Sequence, residues 1–230
     1  MMKASPAARS WIAAGVRHEL LTRVLPALRH DLVGPVSVMR MGALMLKRQV
    51  AAPSIDPQAC TERVALIDDQ IGQLIEGVRS LRDWELATTD EGTTRSALVE
   101  QCVALLRPAF SLHEVRLEIG ASLDWLDDDE PRWPRAAALR YLLLCGLSYL
   151  HDASPAGGVI RIDAQGADAL VLQAAAREGE AVAQDNAAEH RAPRRLAIDA
   201  VALQSLADDL GYEVTVSEDG RTLRFPLGAG

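Results

Sequence analysis

Two runs of apolar residues, each spaced alternately four and three apart, constrain the fold more than any other feature. In the first, Leu21, Leu25, Leu28, Leu32, Pro35, Met39, Gly42 and Leu46 form one stripe of a helix running from Pro6 or Trp11 to Val50. In the second, Cys60, Val64, Ile67, Ile71, Leu74, Val78 and Leu81 form a cleaner stripe on a helix reaching about Leu86. Pro53 and Pro57 break the pattern between them. Two long helices joined by a short loop make an antiparallel hairpin. A single hairpin buries only one side of each helix, so the economical arrangement is a homodimer whose two hairpins form a four-helix bundle.

In the heptads of the first stripe, His30 takes the outermost position and Asp31 follows it. A histidine on a solvent-facing helix surface is within reach of a second protein, and neutral imidazole is a competent nucleophile near pH 7. Phosphoryl transfer is therefore the candidate chemistry. Pro35 removes a backbone donor and crowds the preceding turn, so it predicts a tolerated kink beside the histidine.

At 230 residues, 49% hydrophobic and 24% charged, the chain is long enough for two domains with their own cores and is too apolar for disorder. Its net charge of -8 argues against a nucleic-acid partner, because phosphate backbones call for clustered Lys and Arg. Cys60, Cys102 and Cys145 are odd in number and lie in apolar helical contexts, which fits reduced packing residues of a cytoplasmic protein. No metal-ligand spacing is present, and Asp127-Asp128-Asp129-Glu130 reads as a solvated loop. The N-terminal residues do not form a secretory signal, and no apolar run is long enough to span a membrane.

The period changes beyond Ala87–Arg95, a stretch that reads as a linker between a first domain at 1–87 and a second at 96–230. The second domain begins with a helix from Ser96, its expected N-cap, to Phe110 and a strand through Val115, Leu117 and Ile119. A strongly apolar helix then spans Pro134 to Leu150, and Val159–Ala164 pairs with Leu170–Ala174. Ala175–Arg195 shows no periodicity and reads as a mobile segment. An amphipathic helix ends at Gly211, and a hairpin turning at Glu218–Arg221 closes the chain. Helices on one face of a mostly antiparallel sheet make this an α+β protein.

A box of the form H-[DE]-L-x-x-P in a helical hairpin, followed by a helix-strand-helix-hairpin-helix-hairpin domain, resembles the core of bacterial sensor histidine kinases over residues 20 to 228. His30, Asp31, Leu32 and Pro35 stand at the family's positions. The resemblance implies that His30 accepts the phosphoryl group and that Asp31 orients or deprotonates it. It also implies that the second domain is an α/β sandwich like the kinase ATP-binding fold. In the family, the second Asn of a box written N-L-L-x-N-A-x-x-A holds magnesium. The corresponding run here is Cys145 to Ala153, with Tyr149 in that place. The D-x-G-x-G expected after Leu170-Val171-Leu172 is replaced by Gln173 to Gly179, and the glycine-rich G-x-G-L by Arg194-Arg195-Leu196-Ala197-Ile198. Without these glycines, backbone amides cannot approach triphosphate oxygens. Gly34 stands where kinases that also dephosphorylate their partner carry Thr or Asn, so phosphatase activity is not expected. His18-Glu19-Leu20-Leu21-Thr22 has that Thr but lacks the proline, and reads as helix surface.

An intact histidine beside a degenerate nucleotide pocket resembles the ChpT-like histidine phosphotransferases. This implies a relay between response regulator receiver domains, with Leu32, Gly34 and Pro35 at the docking surface, no cofactor on this chain and Mg²⁺ supplied by the receiver. Two other readings are a pseudokinase scaffold that binds a kinase or regulator, and a divergent autophosphorylating kinase.

Overall fold

The computed structural model describes residues 6–86, 92–124, 130–153, 158–175 and 196–228. It has a helical N-terminal region followed by a mixed α/β sheet domain, the expected α+β class. Helix α1 runs Pro6–Val50 and helix α2 runs Pro57–Ser80, continued by a 3-10 turn at Leu81–Trp84. Asp56 caps α2, accepting from the backbone N–H groups of Gln58 and Ala59 at 3.0 and 3.2 Å, and Pro57 fits the first turn, where no N–H is needed.

The chain divides into two compact units, one of residues 25–88 and one of residues 1–24 with 89–230. The sequence pattern alone sets the boundaries at 1–87 and 96–230. Residues 1–24 carry a second apolar stripe, Ala13, Val16, Leu20 and Val24, which is fully or almost fully buried in the α/β unit.

In the hairpin unit the helices meet at two glycines. A Cβ on Gly42 would lie 3.1 Å from Ile67 Cγ1, and one on Gly77 would lie 3.1 Å from Leu32 Cδ2. Both contacts belong to one antiparallel register. Beyond this seam the unit buries little. Leu25, Val33, Val36, Val38, Met41, Leu44 and Met45 of α1 are exposed, as are Val64, Ile71, Ile75 and Val78 of α2, whose buried residue is Gln70.

The α/β unit is built differently. After β1 (Thr93–Thr94) come α3 (Arg95–Ser111), β2 (Val115–Ile119), β3 (Arg132–Trp133) and α4 (Ala136–Ala153). These are followed by β4 (Gly158–Gln165), β5 (Ala169–Ala175), α5 (Ala200–Leu210), β6 (Thr215–Val216) and β7 (Thr222–Pro226). The main sheet has the order β2-β4-β5-β7-β6, with β2 parallel to β4 and the other pairs antiparallel. Alternate residues Ile160, Ile162, Leu170, Leu172, Leu223 and Phe225 form a buried face. Helix α4, buried from Ala136 to Leu150, lies on that face at Gly146, where a Cβ would come within 3.3 Å of Leu223 Cδ1. Gly211 ends α5 with φ 75°, the left-handed cap expected there.

Two local expectations are corrected. Thr94, not Ser96, caps α3, accepting from the Ala97 N–H at 3.2 Å, while the Ser96 N–H donates to Glu130. Within the expected linker, Thr93 and Thr94 pair with Trp133 and Arg132. Of the expected mobile segment Ala175–Arg195, Ala175 is the last residue of β5, and residues 176–195 lie outside the described residues, as do the aspartates at 127–129 and residues 87–91 of the linker.

Candidate functional site

His30 lies on α1 with its side chain 85% exposed, and the neighbouring Asp31 side chain is 67% exposed. Its Nδ1 stands 3.4 Å from Asp31 Oδ1, a long contact at the edge of hydrogen-bond range. When Nδ1 carries the ring proton and donates to Asp31, Nε2 keeps its lone pair, the tautomer a nucleophilic imidazole requires. Two prolines flank the histidine in the same helix. Because Pro26 and Pro35 have no N–H, the carbonyls of Thr22 and Asp31 have no helical donor four residues on.

Of the three residues expected at a docking surface, Gly34 alone is open, since a Cβ there would meet nothing within 4 Å. Leu32 packs over Gly77 and Pro35 is buried. With Leu32 half-buried and both at inward-facing heptad positions, they brace the helix that carries His30. In the alternative pair His18-Glu19, the histidine is exposed and the carboxylate is engaged elsewhere. Glu19 accepts from Arg23 Nε at 3.1 Å and is mostly buried, and the Thr22 hydroxyl donates to the His18 carbonyl.

In the α/β unit, the run that should hold magnesium is built otherwise. Tyr149 is buried, and its hydroxyl lies 3.1 Å from where a Cβ on Gly220, in the β6–β7 turn, would stand. Cys145 is wholly buried, and burial pushes its thiol up against a smaller opposing pull from Arg23. Asp152 closes the run. Its carboxylate takes a two-pronged bond from Arg23 of α1, Nη1 to Oδ1 at 3.0 Å and Nη2 to Oδ2 at 2.7 Å. It also accepts the Ile198 N–H at 2.8 Å and lies 3.0 Å from His151 Nδ1. Burial alone raises this carboxyl, but the bonds from His151, Arg23 and Ile198 outweigh it and hold the group at about 2.

Arg23 Nη2 also donates to the Leu196 carbonyl at 2.9 Å. Leu196 and Ile198 belong to the stretch standing in for the glycine-rich turn. A phosphate-gripping loop turns N–H groups toward an anion it must bind. Here the carbonyl of Leu196 faces a guanidinium, and the Ile198 N–H serves the chain's own carboxylate. Sequence reasoning missed Arg23 and Asp152. The available signal was the stripe Ala13, Val16, Leu20 and Val24 with arginines beside it.

Among the described residues, no group of three or more His, Cys, Asp or Glu is placed to hold a metal ion. Among them, too, no helix is long and apolar enough to cross a membrane.

No protein family and no curated protein matches this sequence. Solved structures similar to it are histidine kinase cores and a phosphotransferase. A bacterial phosphotransferase is 16% identical over 98% of both chains, with a TM-score of 0.35. A histidine kinase from Burkholderia phymatum is 15% identical over 88% of this chain and 98% of its own, with a TM-score of 0.38. The histidine kinase ThkA, in complex with the response regulator TrrA, is 11% identical over 100% of this chain and 68% of its own, with a TM-score of 0.37. Likeness at such TM-scores carries no weight for function, which has to come from the chain's own residues.

Proposed function

We propose that this chain is a histidine phosphotransfer protein that carries a phosphoryl group on His30 between receiver-domain aspartates and draws none from ATP. The observation that carries the reading is the exposed imidazole with a carboxylate on its Nδ1 side, set on one helix of a helical hairpin. A receiver bearing an aspartyl phosphate and its own Mg²⁺ docks at this face. Nε2 of His30 attacks in line, the P–N bond forms as the P–O bond to the receiver's aspartate breaks, and that carboxylate leaves with the electron pair. The positive charge that develops on the ring lies beside Asp31. Reversal of these steps delivers the group to the aspartate of a second receiver. Little covalent machinery is needed from this chain, because positioning and the partner's metal supply most of the stabilisation.

Two features support transfer without a nucleotide. Tyr149 stands where the resemblance calls for a metal-holding amide, and the Asp152 carboxylate is saturated by protein donors. A homodimer is part of the reading. It rests on Val64, Ile71, Ile75 and Val78 of α2, a stripe that a single chain leaves about half exposed.

The test mixes a receiver labelled on its aspartyl phosphate with the wild type and with His30→Ala. Label is expected on the wild type alone, and equal label on both proteins would remove His30 from the mechanism. Stabilisation of the wild type by ATP and Mg²⁺ would favour an autokinase instead.

A further inference from the structure

The N-terminal turns of α1 bring three arginines to the α/β unit, and each meets an aspartate. Arg9 pairs with Asp208 at 3.8 Å, Arg17 with Asp209 at 2.6 Å and Arg23 with Asp152 at 2.7 Å. The first pair is about half exposed and the second partly so, so both are screened and weak. The third is different in kind, because the Arg23 side chain is 6% exposed. Its planar head is used along three edges, by both oxygens of Asp152, by the Leu196 carbonyl and by Glu19. An ammonium group could not reproduce that fork. The receiving carboxylate is itself fixed by the Ile198 N–H and by His151, whose ring stacks on Phe110 at 4.3 Å. Ala13, Val16, Leu20 and Val24 supply buried apolar area, which has no preferred direction, whereas the fork accepts one geometry only.

We propose that Asp152, with the backbone of Leu196 and Ile198, forms a guanidinium socket. Through it the α/β unit recognises the N-terminal turns of α1, so that the ligand of this domain is the chain's own helix. This deepens the phosphotransfer reading, on which it rests for the domain's purpose, by giving the α/β unit a task that needs no nucleotide.

The test uses full-length protein, Arg23→Ala and the double variant Arg23→Ala with Asp152→Asn, followed by amide hydrogen exchange. In Arg23→Ala, exchange through residues 6–24 is expected to rise roughly a hundredfold, the scale set by leaving one member of a buried pair alone, while amides of β4, β5 and β7 keep their protection. Millimolar N-ethylguanidinium is expected to restore the slow exchange where equal sodium chloride does not, and to do nothing in the double variant. Unchanged exchange in residues 6–24, an equal rise throughout the sheet, or rescue that persists without the Asp152 carboxylate would each overturn the socket. Failure of the relay reading shows separately, as label retained on His30→Ala, and leaves the exchange result standing.

Discussion

The two units of this chain solve the problem of burial in opposite ways. The α/β unit encloses α4 almost entirely and seals Ile160, Ile162, Leu223 and Phe225 beneath it. The hairpin unit closes on two glycines and leaves a row of Val, Ile, Leu and Met side chains in water. Burial, not helix propensity, supplies most helical stability, so the first unit is complete within one chain while the second calls for another surface.

The largest effect that would break this contrast is at the uncovered stripe. Val64, Ile71 and Val78 are 53%, 42% and 53% exposed in the single chain. Replacing all three with Lys is expected to convert a dimer to a monomer in sedimentation, since covering the exposed half of each side chain is worth about 1 kcal/mol and a buried ammonium would be costly. A monomeric wild type, or an unchanged mass in the variant, would show that the hairpin needs no second copy. Phe225→Ala comes next. It leaves a cavity in the sealed core and is expected to cost about 3–5 kcal/mol in denaturant unfolding. A cost within the surface range of about 0.5 kcal/mol would erase the difference between the units.

Acid sharpens the comparison further. The Asp152 carboxyl is held at about 2 in the fold, against an ordinary value of 3.8. A depressed folded value means that the unfolded chain binds the proton more readily. The stability from this group is therefore present above pH 3.8 and is lost as the pH falls from there toward 2. Unfolding free energies measured across that window are expected to slope less steeply in Asp152→Asn than in the wild type. The smallest effect separates open from seated glycines. Gly72→Ala in α2 meets nothing within 4 Å and is expected to stabilise by about 0.5–1 kcal/mol through helix propensity, read as a small rise in Tm. Gly42→Ala must displace Ile67, so its gain is expected to be smaller or reversed.

Much of the architecture is legible in the sequence because it rests on local chemistry. Asp56 and the two prolines between the helices fix the α1–α2 loop, and Gly211 fixes the end of α5. The strands β2, β4, β5 and β7 announce themselves by alternation. Where several surfaces compete for one helix, the pattern is less informative. The α2 periodicity adds the face turned to α1 to the face a second chain would cover, so it placed Val64 and Val78 on a buried stripe and overlooked buried Gln70. The early turns of α1 carry two stripes, and the one through Leu21 and Leu25 obscured the one through Ala13 and Val24. Strands β1 and β3 have two residues each, too few to show any period. At the candidate site, the outward position of His30 follows from heptad counting, and its exposure agrees. The Arg23 fork joins residues far apart in sequence, and no spacing rule reaches that distance.

The placement of the two prolines within α1 has a mechanical consequence. Pro26 and Pro35 lie four residues before and five after His30, and each deletes one rung of the backbone ladder. The imidazole thus sits on a stretch of about two and a half turns bounded by two missing backbone hydrogen bonds. Because Leu32 and Pro35 on its C-terminal side are seated inside the hairpin, the ring is presented from a braced stretch of helix, and a docking partner meets it in one fixed orientation.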